Sequence, residues 1–238
     1  MENNEILNII NEFEKDFKSY KDSGRSLIKQ LSLNLNRADE TNRKRFIDFF
    51  LEEIRTNKNN LWSLCLEVIV EANLVTVSSE LESIYLSYSE LKDENWREDM
   101  IMAMLRLNYE KPDGLYNAYI MHHLENQTGR AFFLIVQYCR VNFTKGINLL
   151  SDYYANKLLS KDSPEYKNQH HIGYLIHWLI NSPYDCLPEI IKQTGTKSKI
   201  AGNYLKQNIL SFLKSGQSSD IKNNQAQENI RTINEVII

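Results

Sequence analysis

Five apolar segments of this chain each end on an asparagine, and a second segment of different pattern follows each one. The endings are LSLNLN at Asn36, VIVEAN at Asn73, MLRLN at Asn108, YCRVN at Asn142 and HWLIN at Asn181, at intervals of 37, 35, 34 and 39 residues. Asparagine tolerates the left-handed conformation that closes many helices, so each ending reads as a helix stop. Self-similarity at a fixed period is the mark of an array whose repeats bury their apolar faces only against their neighbours. The period therefore excludes most other folds before composition is considered.

Both kinds of segment have helical periodicity. The first kind is apolar almost all round. In the segment from Leu61 to Glu71 only Ser63, Glu67 and Glu71 form a polar line, at spacing four, and in 129–141 that line is Arg130, Gln137 and Arg140. A helix with one narrow polar stripe must be covered on three sides. The second kind, expected near 40–57, 76–91, 112–125, 144–160 and 184–194, has one buried and one open face. In 76–91 the apolar stripe is Val77, Leu81, Ile84, Tyr88 and Leu91, opposite Ser79, Glu82 and Ser83. A sixth helix of the first kind is expected near 198–213. The chain has only 8 glycines and 4 prolines, too few for a turn-punctuated β-sandwich, and no strand alternation is evident.

Alternating helices at this period describe an all-α fold, a right-handed α-solenoid of about five helical hairpins. Tetratricopeptide consensus residues are absent. The array resembles HEAT-type repeats in their degenerate bacterial form, over roughly residues 24–213. The resemblance implies an extended surface for binding macromolecules and no cofactor. One domain is expected over 1–214. It begins with an amphipathic cap helix at 2–20 that presents Ile6, Ile9, Ile10, Phe13 and Phe17. Residues 215–238 read as a polar, partly flexible tail in which the apolar TINEVII can form a short docked helix.

Chemistry-bearing patterns are sparse. Cys65, Cys139 and Cys186 have no CxxC spacing and read as buried reduced thiols. His122, His123, His170, His171 and His177 lack chelating spacing. Adjacent helical histidines point about 100° apart, and His170 and His177 are separated by about 10 Å along a helix axis. They read as residues of a solvated stripe, with no metal site. Phosphate-loop, dinucleotide and nucleophile-elbow motifs are absent, and no catalytic residue is assigned. The acidic opening MENNEILNII has no basic run ahead of an apolar stretch, and nowhere do 18 apolar residues run together. Neither a signal peptide nor a membrane span is expected, and the cytoplasm is the expected location.

Charge and aromatics point to a partner. Lys plus Arg total 28 against 31 for Asp plus Glu. Residues 76–91 carry Glu80, Glu82 and Glu90, and 112–125 carry Asp113 and Glu125, with no Lys or Arg in either segment. Such a surface repels phosphates, so nucleic acid is not the expected partner. The alternative is a HEAT-like DNA-binding or DNA-repair protein of the alkylated-base glycosylase type. A basic run of Lys192, Lys197, Lys199, Lys206, Lys214 and Lys222, opposed only by Asp220, would suit an acidic partner. Seven of the 13 tyrosines fall on the second kind of helix, and Tyr88, Tyr119 and Tyr154 lie on the apolar stripes. Tyr85, Tyr116 and Tyr153 lie at stripe edges, and with Glu82 they are the expected protein-binding residues. Trp62, Trp96 and Trp178 are expected in the core. The reading is a non-catalytic protein-interaction scaffold, either an adaptor or an inhibitor of the immunity type that occludes a basic partner.

Overall fold

Helix starts and stops follow local chemistry. A computed structural model describes residues 8, 23–111, 113–126, 130–157, 186–215 and 223–238. Among them every regular element is helical. In the first part of the chain these are α1 (Ser23–Arg37), α2 (Glu40–Thr56), α3 (Trp62–Glu71), α4 (Ser78–Tyr88) and α5 (Glu94–Arg106). Then come α6 (Asp113–Glu125), α7 (Arg130–Val141), α8 (Phe143–Lys157), α9 (Cys186–Lys197), α10 (Lys199–Ser215) and α11 (Asn223–Glu235). The Asp39 carboxylate accepts from the Asn42 N–H at 2.9 Å and starts α2. Asp93 accepts from the Trp96 N–H at 2.8 Å and starts α5.

The asparagine endings have two structural roles. Asn73 and Asn108 are left-handed, with φ of 53° and 55°. After α3 the Leu74 N–H bonds the Ile69 carbonyl and the Asn73 N–H bonds the Val70 carbonyl. After α5 the Tyr109 N–H bonds the Met104 carbonyl and the Asn108 N–H bonds the Leu105 carbonyl. These are two Schellman caps with the same bond pattern, 35 residues apart. Asn142 acts differently: its side chain accepts from the Lys145 N–H at 3.1 Å and starts α8. Asn36 lies within α1, which runs on to Arg37. Asn181 and Trp178, with the helix expected to hold them, lie outside the described residues, as do Tyr184, residues 158–160 and, apart from Asn8, the cap helix at 2–20.

The chain divides into two compact units, Met1–Tyr109 and Glu110–Ile238. In the first unit α1 packs on α3 and α3 on α5, all helices of the first kind, while α2 packs on α4, both of the second kind. Cross-layer contacts join α2 to α3 and α4 to α5. Helices of a kind thus lie side by side in sequence order. Leu31, Leu35, Phe50, Ile54, Ile69 and Met100 are sealed between them. In the second unit α8 packs on α6 and on α9, again helices of the second kind, while α7 backs α6 and α8 and α10 backs α9. Its core holds Tyr116, Ile120, Tyr138, Leu150, Ile190 and Leu205.

The docked helix expected for TINEVII is longer than that segment. Residues 223–229 begin α11, which packs on α9 and α10. Ile233 is fully buried, and Lys206 Nζ donates to the carbonyls of Asn234 and Val236.

Candidate interaction surface

Helix α4, with sequence SSELESIYLSY, turns Leu81, Ile84 and Tyr85 inward. Its outer face carries Ser79, Glu80, Ser83, Leu86 and Ser87, and Glu90 extends that face in the following 3-10 turn, Ser89–Leu91. Leu86 is 66% exposed and Leu91 is 80% exposed. Glu82 and Leu86 are spaced by four on α4 and so line one edge of this face. Glu82 is half-buried, and the Tyr109 hydroxyl donates to it at 2.7 Å. That bond fixes the carboxylate. Burial, and then the bond to Glu82, push the Tyr109 hydroxyl up to about 12. Thr76 to Leu91 contains no cationic side chain. The next cation is Lys92, whose ammonium stands 5.8 Å from the centre of the Trp96 ring.

The three expected interface tyrosines are core residues. Tyr85 is 6% exposed and lies in a near-parallel stack with Trp96, centroids 6.0 Å apart. Burial raises its hydroxyl pKa. Tyr116 is fully buried, edge-on to Tyr138 at 5.6 Å. Tyr153 is 6% exposed, and its hydroxyl donates to the Leu124 carbonyl at 3.1 Å. The expectation that these rings border the open face is therefore corrected. The cause is packing: α4 is covered by both α2 and α5, and α8 by α6, α7, α9 and α10. The buried arc is wider than a single stripe, so stripe-edge positions fall inside it. Of the four expected residues, Glu82 alone borders an open surface.

Other expectations resolve individually. Tyr119 and Tyr154 are buried as expected, Tyr88 and Trp62 are half-buried, and Trp96 is in the core. Leu91 leaves the stripe because the chain tightens into the 3-10 turn that follows α4. Leu86 is a surface residue that the sequence pattern does not single out by stripe; its place between Glu82 and Glu90 at spacing four is the signal that marks it. His122 is exposed, whereas His123 is buried, its ring 4.8 Å from that of Tyr119. His170, His171 and His177 lie outside the described residues. Three of the six lysines of the basic run near the chain end have partners, and Lys222 lies outside the described residues. Lys197 pairs with Asp152 at 2.8 Å, Lys192 approaches Glu189 at 4.0 Å, and Lys206 holds the carbonyls of Asn234 and Val236.

None of the three cysteines is in a disulfide, and all three are buried. Burial raises the Cys65 thiol pKa, with Glu53 adding to the effect. Among the described residues no cluster of three His, Cys, Asp or Glu side chains could hold a metal ion. Among the same residues no helix is long and apolar enough to cross a membrane. No protein-family model, no curated protein and no solved structure matches this chain.

Proposed function

We propose that this chain is a non-catalytic scaffold that binds another protein, with each unit a stretch of right-handed α-solenoid built from HEAT-like hairpins. Two observations support the architecture: helices of a kind lie side by side in sequence order, and the Schellman caps at Asn73 and Asn108 share one bond pattern. The function is carried by a single observation. Leu86 and Leu91 stand exposed on α4 and its following turn, among Glu80, Glu82 and Glu90, with no Lys or Arg from Thr76 to Leu91. Apolar anchors within a one-signed field suit a partner that offers an apolar pocket rimmed by Lys and Arg. The partner is a protein with a basic surface. The chain acts on it in the cytoplasm, as an adaptor or as an inhibitor of the immunity type.

The test is affinity capture from the native host with the wild-type chain, in parallel with Leu86→Ala/Leu91→Ala and Glu90→Lys variants. A basic protein retained by the wild type and lost from the double-leucine variant is the expected result. Glu90→Lys should slow association with that protein and flatten its salt dependence, because steering by the acidic field is weakened. Equal capture by all three proteins would refute the surface. Tight binding of plain duplex DNA at physiological salt would favour a DNA-repair role instead.

A further inference from the structure

Helix α1, SGRSLIKQLSLNLNR, buries Leu27, Leu31 and Leu35 in the first unit. Its exposed residues include Arg25, Lys29, Leu33 and Arg37, each four after the last. Steps of four drift by only about 40° on a helix, so these side chains share one arc of about 120°. Leu33 is 46% exposed between Lys29 and Arg37, and no Asp or Glu occurs from Ser23 to Arg37. Among the described residues no ion pair engages Arg25, Lys29 or Arg37. Like charges four apart repel along a helix, a cost that a surface of opposite sign removes. The open face of α4 is such a surface. There Leu86 is exposed near Glu80 and Glu82, with the small Ser79, Ser83 and Ser87 on the same face and no Lys or Arg from Thr76 to Leu91. Both faces are open within one chain, so neither covers the other.

We propose that the chain self-associates, the basic face of α1 in one copy seating on the acidic face of α4 in another. The inference rests on the reading of α4 as an interaction face and adds that a second copy is one of its basic partners. Leu33 and Leu86 pack together at the centre, and Arg25, Lys29 and Arg37 meet Glu80, Glu82 and Glu90 around them. The two faces are unlike, so a two-fold dimer makes the contact twice, α1 on α4 and α4 on α1. Each contact is one helix wide, small for a stable interface, and its charged groups are exposed. The association is therefore weak and sensitive to salt. A foreign basic protein must displace the second copy, so self-association sets a threshold for binding at α4.

The test is sedimentation of the full chain over a concentration series, at about 50 mM and about 500 mM salt. The expected result is a mass that rises with concentration at low salt and falls back to the monomer at high salt. Reversal of α1 by Arg25→Glu, Lys29→Glu and Arg37→Glu should weaken self-association by about tenfold or more, as should reversal of α4 by Glu80→Lys, Ser83→Lys and Glu90→Lys. All six positions are exposed. Mixing the two reversed proteins should restore association, because every contact again joins opposite signs. Leu33→Ala should weaken association with the charge unchanged. A wild-type chain that stays monomeric at low salt up to about 100 μM would overturn the proposal. So would a mixture of the reversed proteins that fails to associate while both melt like the wild type. Binding of a monomeric wild type to vesicles of anionic lipid, lost on reversal of α1, would assign the basic face to a membrane surface instead. The reading of α4 fails separately, when Leu86→Ala/Leu91→Ala retains the basic protein captured by the wild type.

Discussion

The indole N–H of Trp96 donates to the carbonyl of Ile54 at 3.0 Å, across 42 residues of sequence. Ile54 lies in the last turn of α2, where a carbonyl has no partner within its own helix. The bond satisfies that group in a dry setting and ties α2 to α5. Trp96→Phe keeps a ring against Tyr85 but removes the donor. It should cost about 1–3 kcal/mol in denaturant unfolding, the range for stranding a buried polar group. Wild-type stability in that variant would mean that water reaches the carbonyl.

The buried tyrosines should report on folding, not on binding. Tyr85→Ala and Tyr116→Ala each remove a core ring and should lower unfolding free energy by about 3–5 kcal/mol. Tyr153→Phe removes only the hydroxyl that donates to Leu124 and should cost about 1 kcal/mol. Equilibrium denaturation distinguishes these sizes directly. An effect below about 1 kcal/mol for Tyr116→Ala would contradict its fully buried position.

The same residues mark how far the sequence could be read. The period and the two helix patterns locate the helices, because apolar spacing and cap chemistry are local properties. The asparagines at 73 and 108 are legible as left-handed stops for that reason. Depth of burial is not legible for Tyr85, Tyr116 or Tyr153, since it depends on how many neighbours cover a helix. Leu91 fails the other way: it fits the stripe by spacing, but the 3-10 turn rotates it into solvent.

The two Schellman caps invite a paired substitution. Asn73 and Asn108 occupy positive φ, where glycine has no steric penalty and alanine does. Replacing either asparagine with Ala should destabilise the first unit by about 1 kcal/mol. Replacement with Gly should be neutral or slightly stabilising. Equal effects of Ala and Gly at Asn73, seen in thermal or chemical melts, would exclude the cap as the cause.

Two groups make stability depend on pH in opposite ranges. Hydrogen bonds from the Asn42 backbone and side chain hold the Asp39 carboxyl below its ordinary value. Its contribution is complete above the unfolded carboxylate range and is lost as pH falls through the lower folded value. Tyr109 runs the other way, because its folded hydroxyl is raised to about 12. Its contribution is complete below the ordinary tyrosine range near 10 and fades as pH climbs from there toward the folded value. Tyr109→Phe should weaken the alkaline component, to which the buried Tyr85, Tyr138 and Tyr154 hydroxyls also contribute, and Asp39→Asn should weaken the acid one. Unchanged alkaline melting of Tyr109→Phe would mean that Glu82 does not sense the hydroxyl.

A close helix crossing in the second unit rests on two glycines. A Cβ on Gly202 would stand 2.5 Å from the Gly195 Cα and 2.9 Å from its nitrogen, so α9 and α10 meet backbone to backbone. Ile238 fills the space beside them, and a Cβ on Gly195 would stand 2.6 Å from its Cγ2. Gly→Ala within a helix ordinarily stabilises by about 1 kcal/mol through lower chain entropy. Gly114, at the start of α6, should show that gain, because a Cβ there would meet nothing within 4 Å. Gly202→Ala should reverse the sign and cost about 2 kcal/mol or more, because a rigid backbone must move. Gly195→Ala should cost less, since its obstacle is a side chain that can turn aside. Deleting Asn223–Ile238 should lower stability by uncovering α9 and α10, and within that shortened chain Gly195→Ala should become neutral while Gly202→Ala stays costly. If instead both alanines are tolerated once the segment is gone, Ile238 and not the helix crossing sets the requirement for glycine.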